Sequence, residues 1–263
     1  MGVHRSQRSV ASIDIEYYAG GRGQSLLYLH GGFGLEGSKT FLDALAEHFE
    51  VIAPVHPGFG TSEWPERIRS VSDLAFFYLD LADQLELDNA LLVGSCFGGW
   101  LGAEILIRST RRFERAALMA PLGAKFSDRA TRDITDLHSL GEEEVHRCLY
   151  YQRAPEDYSN HSEEALNAIA RNREAFTYFG WKPYMHDPSL TNWLHRIDLP
   201  TLLLWGEHDG FVDLRYAESY HRAISGSTLE VVPGAGHFPE IEQQSQVLEQ
   251  ITQFADAETR RES

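Results

Sequence analysis

Cysteine is scarce in this chain, because Cys96 and Cys148 are the only two among 263 residues. So few thiols exclude a disulfide-built scaffold, and the two lie in different predicted regions, so we expect no bridge between them. Long hydrophobic runs are also lacking: no segment reaches the roughly 18 uninterrupted apolar residues that a membrane-spanning helix needs. The first ten residues contain no apolar stretch typical of a secretory signal. We therefore predict a soluble, cytoplasmic protein.

Positive charge is in short supply as well, since 23 lysines and arginines stand against 39 acidic residues and give a formal net charge of −16. A field of that sign repels phosphate backbones and anionic lipid heads. We therefore expect no nucleic-acid partner and no membrane partner. The hydrophobic share of 43% is ordinary for a globular protein with a sizeable core. The sequence does not indicate an oligomeric state.

Short apolar runs alternate with stretches of helical periodicity along most of the chain, which predicts a mostly parallel sheet flanked by helices. From residue 125 to residue 195 the helical periodicity continues without a convincing strand. We therefore predict an α/β core, formed by residues 1–124 and 196–263, with a helical cap inserted at 125–195. The strands are predicted at residues 11–18, 25–30, 51–53, 90–93, 115–120, 201–205 and 228–232.

Helices are predicted to follow most of these strands. Ser38 is suited to cap a helix that presents one apolar face, up to and including Phe49. A second helix is predicted to begin near residue 72, another at residues 214–224 and a last one from about residue 241. A polar, frayed tail is expected at residues 257–263.

Cys96 stands in Gly94-Ser95-Cys96-Phe97-Gly98, between an apolar run and a helix-like stretch. A strand that turns sharply into a helix needs small residues two places before and two places after the central position, so that the backbones can approach. Such a turn lifts the central side chain clear of the sheet. A thiol there points to nucleophilic catalysis, because a helix N-terminus favours the reactive thiolate. Ser95 is the rival nucleophile, one position too early for this geometry.

This turn resembles the Gly-x-Ser-x-Gly motif of the α/β-hydrolase family, with cysteine in the serine position. Four further blocks resemble the family's motifs and follow in its order along nearly the whole chain. They are HGGFG at residues 30–34, HPGFGTS at 56–62, TLLLWGEHD at 201–209 and PGAGHFP at 233–239. The sequence is therefore identified as a member of this family.

The resemblance implies a triad in which Cys96 is the nucleophile, His237 the base and Asp209 the acid that orients the base. The chain order of nucleophile, acid and histidine is the order that this fold uses. Glu207 is the alternative acid, and Asp209 matches the family motif more closely. The other neighbouring histidines are expected to brace loops or to lie at the surface; they are His30, His56 and His208.

Acyl transfer also needs N–H donors aimed at the developing oxyanion. The resemblance implies the backbone N–H of Phe97 as one donor and that of Gly32 or Phe33 as the other. No metal-ligand spacing stands out, and the loop at residues 31–34 lacks the lysine of a phosphate loop, so we expect no metal and no cofactor.

These residues predict a hydrolase of carboxylic esters, thioesters or lactones that forms a covalent thioester on Cys96 and takes a small-molecule acyl substrate. Dienelactone hydrolases, some thioesterase domains and polyester synthases of the same broad fold use cysteine at this position. Four alternatives stay open: an acyltransferase or cyclase, a carbon–carbon bond hydrolase of a β-diketone-like substrate, an engineered cysteine that traps an acyl group, and a non-enzymatic ligand sensor. Cap aromatics either line an acyl pocket or form cap core; they are Tyr150, Tyr151, Phe176, Tyr178, Phe179, Trp181 and Tyr184.

Overall fold

One sheet of eight strands organises the protein, in the order β1-β2-β4-β3-β5-β6-β7-β8. The computed structural model describes residues 2–257, so most of the predicted frayed tail lies outside the described residues. The strands are β1 (His4–Val10), β2 (Ile13–Gly21), β3 (Ser25–Leu29), β4 (Glu50–Pro54), β5 (Ala90–Ser95), β6 (Phe113–Met119), β7 (Thr201–Gly206) and β8 (Ser227–Val232).

The sheet is mostly parallel, because β4, β3 and β5 to β8 pair in parallel and only β1 and β2 introduce antiparallel pairings. All six residues of β5 and all six of β7 are buried. Strands buried on both faces are typical of a parallel sheet covered by helices on each side. The predicted α/β fold class is therefore confirmed.

Helices pack around the sheet, and a helix is the last element of the described chain. They are α1 (Lys39–Leu45), α2 (Val71–Gln84), α3 (Phe97–Leu106), α4 (Glu142–Leu149), α5 (Glu163–Gly180), α6 (Leu214–Ala223), α7 (Pro239–Glu242) and α8 (Gln244–Asp256). Ser38 does precede α1, but its side chain makes no capping hydrogen bond. Phe49 lies beyond the end of that helix, so its predicted place on the helical face was wrong. None of the helices within residues 2–257 has the length and apolar character needed to cross a bilayer.

The N-terminal edge of the sheet contains a strand, β1, that the sequence does not predict. Strand β2 pairs along its length with β1, from His4 opposite Ala19 to Val10 opposite Ile13. Five of the seven β1 residues are exposed, so this edge strand lacks the apolar alternation by which strands are recognised. Backbone pairing to β2, rather than side-chain burial, holds it in place.

The segment between β6 and β7 is helical and contacts the loops that follow β3 and β4. Within the described chain it contains α4 and α5, and its one pairing with β-geometry is the isolated bridge from Gly123 to His186. Asn172 of α5 joins the two loops, because its Oδ1 accepts from the Gly60 N–H at 2.8 Å and its Nδ2 donates to the Phe33 carbonyl at 3.2 Å. Residues of the predicted cap therefore lie directly over the carboxyl end of the sheet.

Candidate active site

Cys96 occupies a strained turn between β5 and α3. Its φ of 55° and ψ of −114° lie where non-glycine residues are rare, a conformation that costs about 1–3 kcal/mol. Backbone hydrogen bonds hold it there: its N–H donates to the Met119 carbonyl at 2.8 Å, and its own carbonyl accepts from the Trp100 N–H at 3.1 Å. Strain that is maintained in this way is typical of functional positions.

Two glycines make the turn possible. A Cβ on Gly94 would overlap the carbonyl oxygen of Gly98, and a Cβ on Gly98 would overlap the carbonyl oxygens of Leu29 and His30. The crowding atoms belong to the backbone and cannot rotate away. Small residues on both sides of Cys96 are therefore a direct steric requirement of this turn.

Replacing Gly98 with alanine is expected to lower the free energy of unfolding by about 1–3 kcal/mol, because the added methyl group forces β3 and α3 apart. Urea unfolding measures the change. Gly37→Ala is the matched control, since a Cβ there makes an ordinary contact of 3.5 Å with Ile241. Equal stability of both variants would contradict the close approach of β3 and α3.

Asp209 and His237 form a buried ion pair after β7 and β8. The His237 Nδ1–H donates to Asp209 Oδ2 at 2.8 Å, and both side chains are fully buried. The other carboxylate oxygen of Asp209 accepts from the backbone N–H groups of Phe211 at 2.9 Å and Val212 at 3.0 Å. Three hydrogen bonds thus fix the carboxylate, and the carboxylate fixes the tautomer and orientation of the imidazole.

The electrostatics of His237 link it to Cys96 as well as to Asp209. Burial alone would lower the pKa of His237, but the charges of Asp209 and Cys96, together with the Asp209 hydrogen bond, raise it to about 10. Apart from the Cys96 thiol, His237 Nε2 has no hydrogen-bond partner within residues 2–257. Because Nδ1 is engaged by Asp209, Nε2 is the atom available to exchange a proton with the thiol.

The rival residues lie elsewhere. Glu207 is half exposed, and its carboxylate lies 3.4 Å from Nε2 of the neighbouring His208, whose ring stacks on Tyr151 at 3.7 Å between centroids. Ser95 turns away from the histidine, because its hydroxyl donates to Glu240 Oε1 at 2.6 Å. The structure therefore brings Cys96, His237 and Asp209 together and leaves both rivals outside that group.

The loop after β3 is braced by two stacked histidines. His30 Nε2 accepts from the His56 N–H at 3.0 Å, so His30 Nδ1 carries the proton that it donates to the Gly31 carbonyl at 2.7 Å. Burial lowers the pKa of His30 to about 4, which keeps the ring neutral. The Gly31 carbonyl also accepts from the Gly34 N–H at 3.1 Å. In a trans peptide the next N–H, that of Gly32, then points to the opposite side.

This loop lies directly against the nucleophile. A Cβ on Gly31 would sit 3.4 Å from the Cys96 Cβ, and a Cβ on Gly32 would overlap the ring of Phe176. Phe97 begins α3, where backbone N–H groups have no intrahelical partner. Within residues 2–257 the N–H groups of Gly32, Phe33 and Phe97 donate to no protein acceptor. The three predicted oxyanion donors are thus unbonded and lie on the two segments that border Cys96.

Aromatic rings separate this group of residues from solvent. Phe97 packs against Phe176 at 5.8 Å and Phe179 at 6.1 Å between ring centroids. Cys96 itself is fully buried. Three of the cap aromatics noted in the sequence are instead substantially exposed: Tyr151, Tyr178 and Trp181.

Tyr184 lines a surface pocket and interacts electrostatically with Cys96. Burial is the main cause that raises the pKa of Tyr184 to about 12, and the charge of Cys96 contributes to the rise. The pocket has a volume of about 320 Å³ and shares Trp181 with a larger groove of about 920 Å³. Sequence reasoning did not single out Tyr184 from the other cap aromatics, and it missed Asn172 and Glu240, which only long-range contacts reveal. In the described part of the chain, no cluster of three or more histidine, cysteine or acidic side chains is arranged to hold a metal ion.

Comparisons with known proteins place this geometry in context. The sequence model described as the α/β hydrolase fold matches residues 24–243. The chain is 27% identical over 233 residues to a 2-hydroxy-6-oxo-2,4-heptadienoate hydrolase of Pseudomonas putida, covering 84% of this chain and 83% of that protein. It is 29% identical to a 2-hydroxy-6-oxo-6-phenylhexa-2,4-dienoate hydrolase of Comamonas testosteroni, covering 90% and 89%. The crystal structure of a bacterial membrane phospholipase A superposes with a TM-score of 0.81 at 22% identity, covering 97% of this chain and 86% of that one.

Proposed function

This chain belongs to the α/β-hydrolase fold family, and from that premise we propose that it hydrolyses activated acyl compounds, namely esters, thioesters or lactones, through a covalent thioester on Cys96. The observation that carries the proposal is the buried ion pair of His237 and Asp209 beside a thiol held at the N-terminus of α3. A histidine with a raised pKa is a strong base, so His237 is suited to accept the proton of the neighbouring Cys96 thiol as the sulfur attacks.

The first half-reaction forms the acyl-enzyme. The Cys96 sulfur attacks the carbonyl carbon, and its proton resides on His237 Nε2. The N–H of Phe97 and that of Gly32 or Phe33 donate to the developing oxyanion. As the tetrahedral intermediate collapses, the bond to the leaving group breaks and His237 gives its proton to the departing oxygen or sulfur.

The second half-reaction releases the acid. His237 Nε2 takes a proton from water as the water oxygen bonds to the thioester carbon. The carbon–sulfur bond then breaks, and the proton passes from Nε2 to the Cys96 sulfur. Sulfur is a better leaving group than nitrogen, so this chemistry suits activated acyl donors rather than amides.

A second candidate is carbon–carbon bond hydrolysis, which the names of the two relatives favour. Their named substrates are keto acids without an ester bond, so hydrolysis of such a compound breaks a carbon–carbon bond beside a ketone. For this chain the class of substrate would be a β-diketone-like or dienoate ketone. Acyl transfer from Cys96 to an alcohol or amine is the third outcome that the same nucleophile permits, and a dry site favours it over hydrolysis.

Intact-mass spectrometry after brief mixing with p-nitrophenyl acetate, an acyl thioester and a lactone tests the main proposal. We expect a mass increment equal to the acyl group that decays as free acid appears, and that survives in the Cys148→Ala variant. Turnover of a dienoate ketone without any adduct would favour carbon–carbon hydrolysis instead. Partition of product towards an added alcohol or amine would identify a transferase, and neither adduct nor turnover on any of these compounds would overturn an enzymatic role in acyl chemistry.

A further inference from the structure

A second buried carboxyl group lies behind the nucleophile. Glu240 is only 1% exposed, and its Oε1 accepts from the hydroxyl of fully buried Ser95, the residue before Cys96. The two residues are 145 positions apart in the sequence. Glu240 Oε2 has no hydrogen-bond partner in the described part of the chain. A buried carboxyl oxygen left unpaired costs free energy, so its presence calls for an explanation.

The carboxyl lies between the strand that ends at the nucleophile and the loop that carries the base. Glu240 is the second residue of α7, three positions after His237, and the charges of the two side chains interact. Its hydrogen bond to Ser95 anchors it to β5. Glu240 therefore interacts electrostatically with His237 without making the hydrogen bond to Nδ1 that Asp209 makes.

Two tyrosines from other parts of the chain interact electrostatically with Glu240. Tyr28 of β3 and Tyr150 after α4 both have a pKa raised mainly by burial and further by the Glu240 charge. Cys96 at the end of β5 also raises the pKa of Tyr28, so the tyrosine lies within reach of both groups. Neither tyrosine supplies a positive charge, and the positive group that acts on Glu240 is His237.

The charge of Glu240 changes close to neutral pH. Burial raises the pKa of its carboxyl to about 7, although the Ser95 hydrogen bond and the His237 charge oppose the rise. Above that pH the group is an anion beside the imidazole, and below it the group is neutral. A nearby anion stabilises the protonated imidazole and so makes the neutral imidazole a stronger base.

We propose that Glu240 is a positioning residue that strengthens His237 as the base for hydrolysis of the acyl-enzyme. The inference rests on the proposed function. Before acylation, the charge of Cys96 also raises the pKa of His237. Once the sulfur is part of a thioester it carries no charge, and Asp209 and Glu240 are the anions left to increase the basicity of Nε2 as it takes a proton from water. Glu240 itself neither gains nor loses a proton in this step.

The decay rate of the acyl adduct against pH tests the proposal, measured in single turnovers by intact mass. We expect Glu240→Gln to slow the decay about tenfold above pH of about 8, and to match the wild type below pH of about 6, where Glu240 is protonated. The rate of adduct formation should change little. Glu104→Gln is the matched control, because Glu104 is equally buried and also has a raised pKa, but it pairs with Arg108 and Trp100. Equal decay of wild type and Glu240→Gln at every pH would overturn the inference.

A second variant tests the same inference if Glu240→Gln folds poorly. Ser95→Ala removes the hydrogen bond that lowers the Glu240 pKa, so we expect the pH at which decay accelerates to move upwards. An unshifted profile in Ser95→Ala would count against the inference.

A readout without substrate separates this inference from the proposed function. The His237 ring proton signal, assigned by its loss in His237→Asn, reports the imidazole pKa by NMR titration. We expect that pKa to fall in Glu240→Gln, even if no acyl adduct forms with any donor. Absence of an adduct would then reject the acyl chemistry alone, whereas an unchanged His237 pKa would reject the role of Glu240.

Discussion

Replacing Cys96 with alanine is expected to lower kcat for a reactive aryl ester by a factor on the order of 10⁴–10⁶ and to abolish the acyl adduct. In the proposed mechanism the Cys96 sulfur forms the covalent bond, so its loss would leave only the oxyanion donors and substrate binding. Alanine is a suitable replacement, because it carries a Cβ as cysteine does and so leaves the strained turn between β5 and α3 unchanged.

Initial rates with p-nitrophenyl acetate, with Cys148→Ala as the control, measure this effect. Cys148 is half-buried at the end of α4, and burial raises the pKa of its thiol, so it should contribute little reactivity. Turnover of Cys96→Ala within tenfold of the wild type would show that another group carries the reaction. Ser95→Ala then decides whether the neighbouring hydroxyl is that group.

Replacing Asp209 with asparagine is expected to lower kcat by a factor on the order of 10⁴, as such a change does in other triads by fixing the wrong histidine tautomer. An amide at this position presents either a carbonyl or an NH₂ group to His237 Nδ1, and it carries no charge. Glu207→Gln is the control, since Glu207 lies at the surface beside His208. A larger loss in the Glu207 variant than in Asp209→Asn would reverse the assignment of the acid.

The same substitution should change how stability depends on pH. The folded-state pKa of His237 is about 10, above the value of about 6.5 expected in the unfolded chain. A raised folded pKa contributes stability that is fully present below about pH 6.5 and is lost as the pH rises through 10. Urea midpoints of the wild type should therefore fall across this interval, and those of Asp209→Asn should fall much less. Parallel curves for the two proteins would contradict the strength of the ion pair.

The parallel core could be predicted because its strands are apolar on both faces. Strands β5 and β7 are buried throughout, so each reads as an uninterrupted hydrophobic run between turn residues. The prediction failed at β1, whose exposed polar side chains carry no period that distinguishes a strand from a loop. Only the long pairing with β2 makes that segment a strand, and pairing is not encoded in the segment itself.

In the candidate site, too, the local motifs could be predicted from the sequence and the long-range contacts could not. Motif spacing singles out Cys96 and His237 because the fold imposes local steric rules on their loops, such as the glycines around the elbow. Contacts such as Ser95 with Glu240, or Asn172 with the Gly60 backbone, join residues more than a hundred positions apart. A single sequence does not reveal which of many buried or half-buried polar residues meet, so these residues were found only in three dimensions.

The last turn of α4 holds both loops of the buried ion pair. The Cys148 carbonyl accepts from the Gly210 N–H at 3.0 Å, next to the acid, and the Leu149 carbonyl accepts from the His237 N–H at 2.9 Å. Exchanging residues 125–195 for the corresponding segment of a relative would therefore replace the residues that make these two backbone hydrogen bonds. It would also replace the cap residues that line the two surface pockets. A chimaera that keeps α4 and substitutes only α5 should be the better route to altered substrate preference. The cap residues of α5 then change, while the hydrogen bonds from α4 that align Asp209 and His237 are kept.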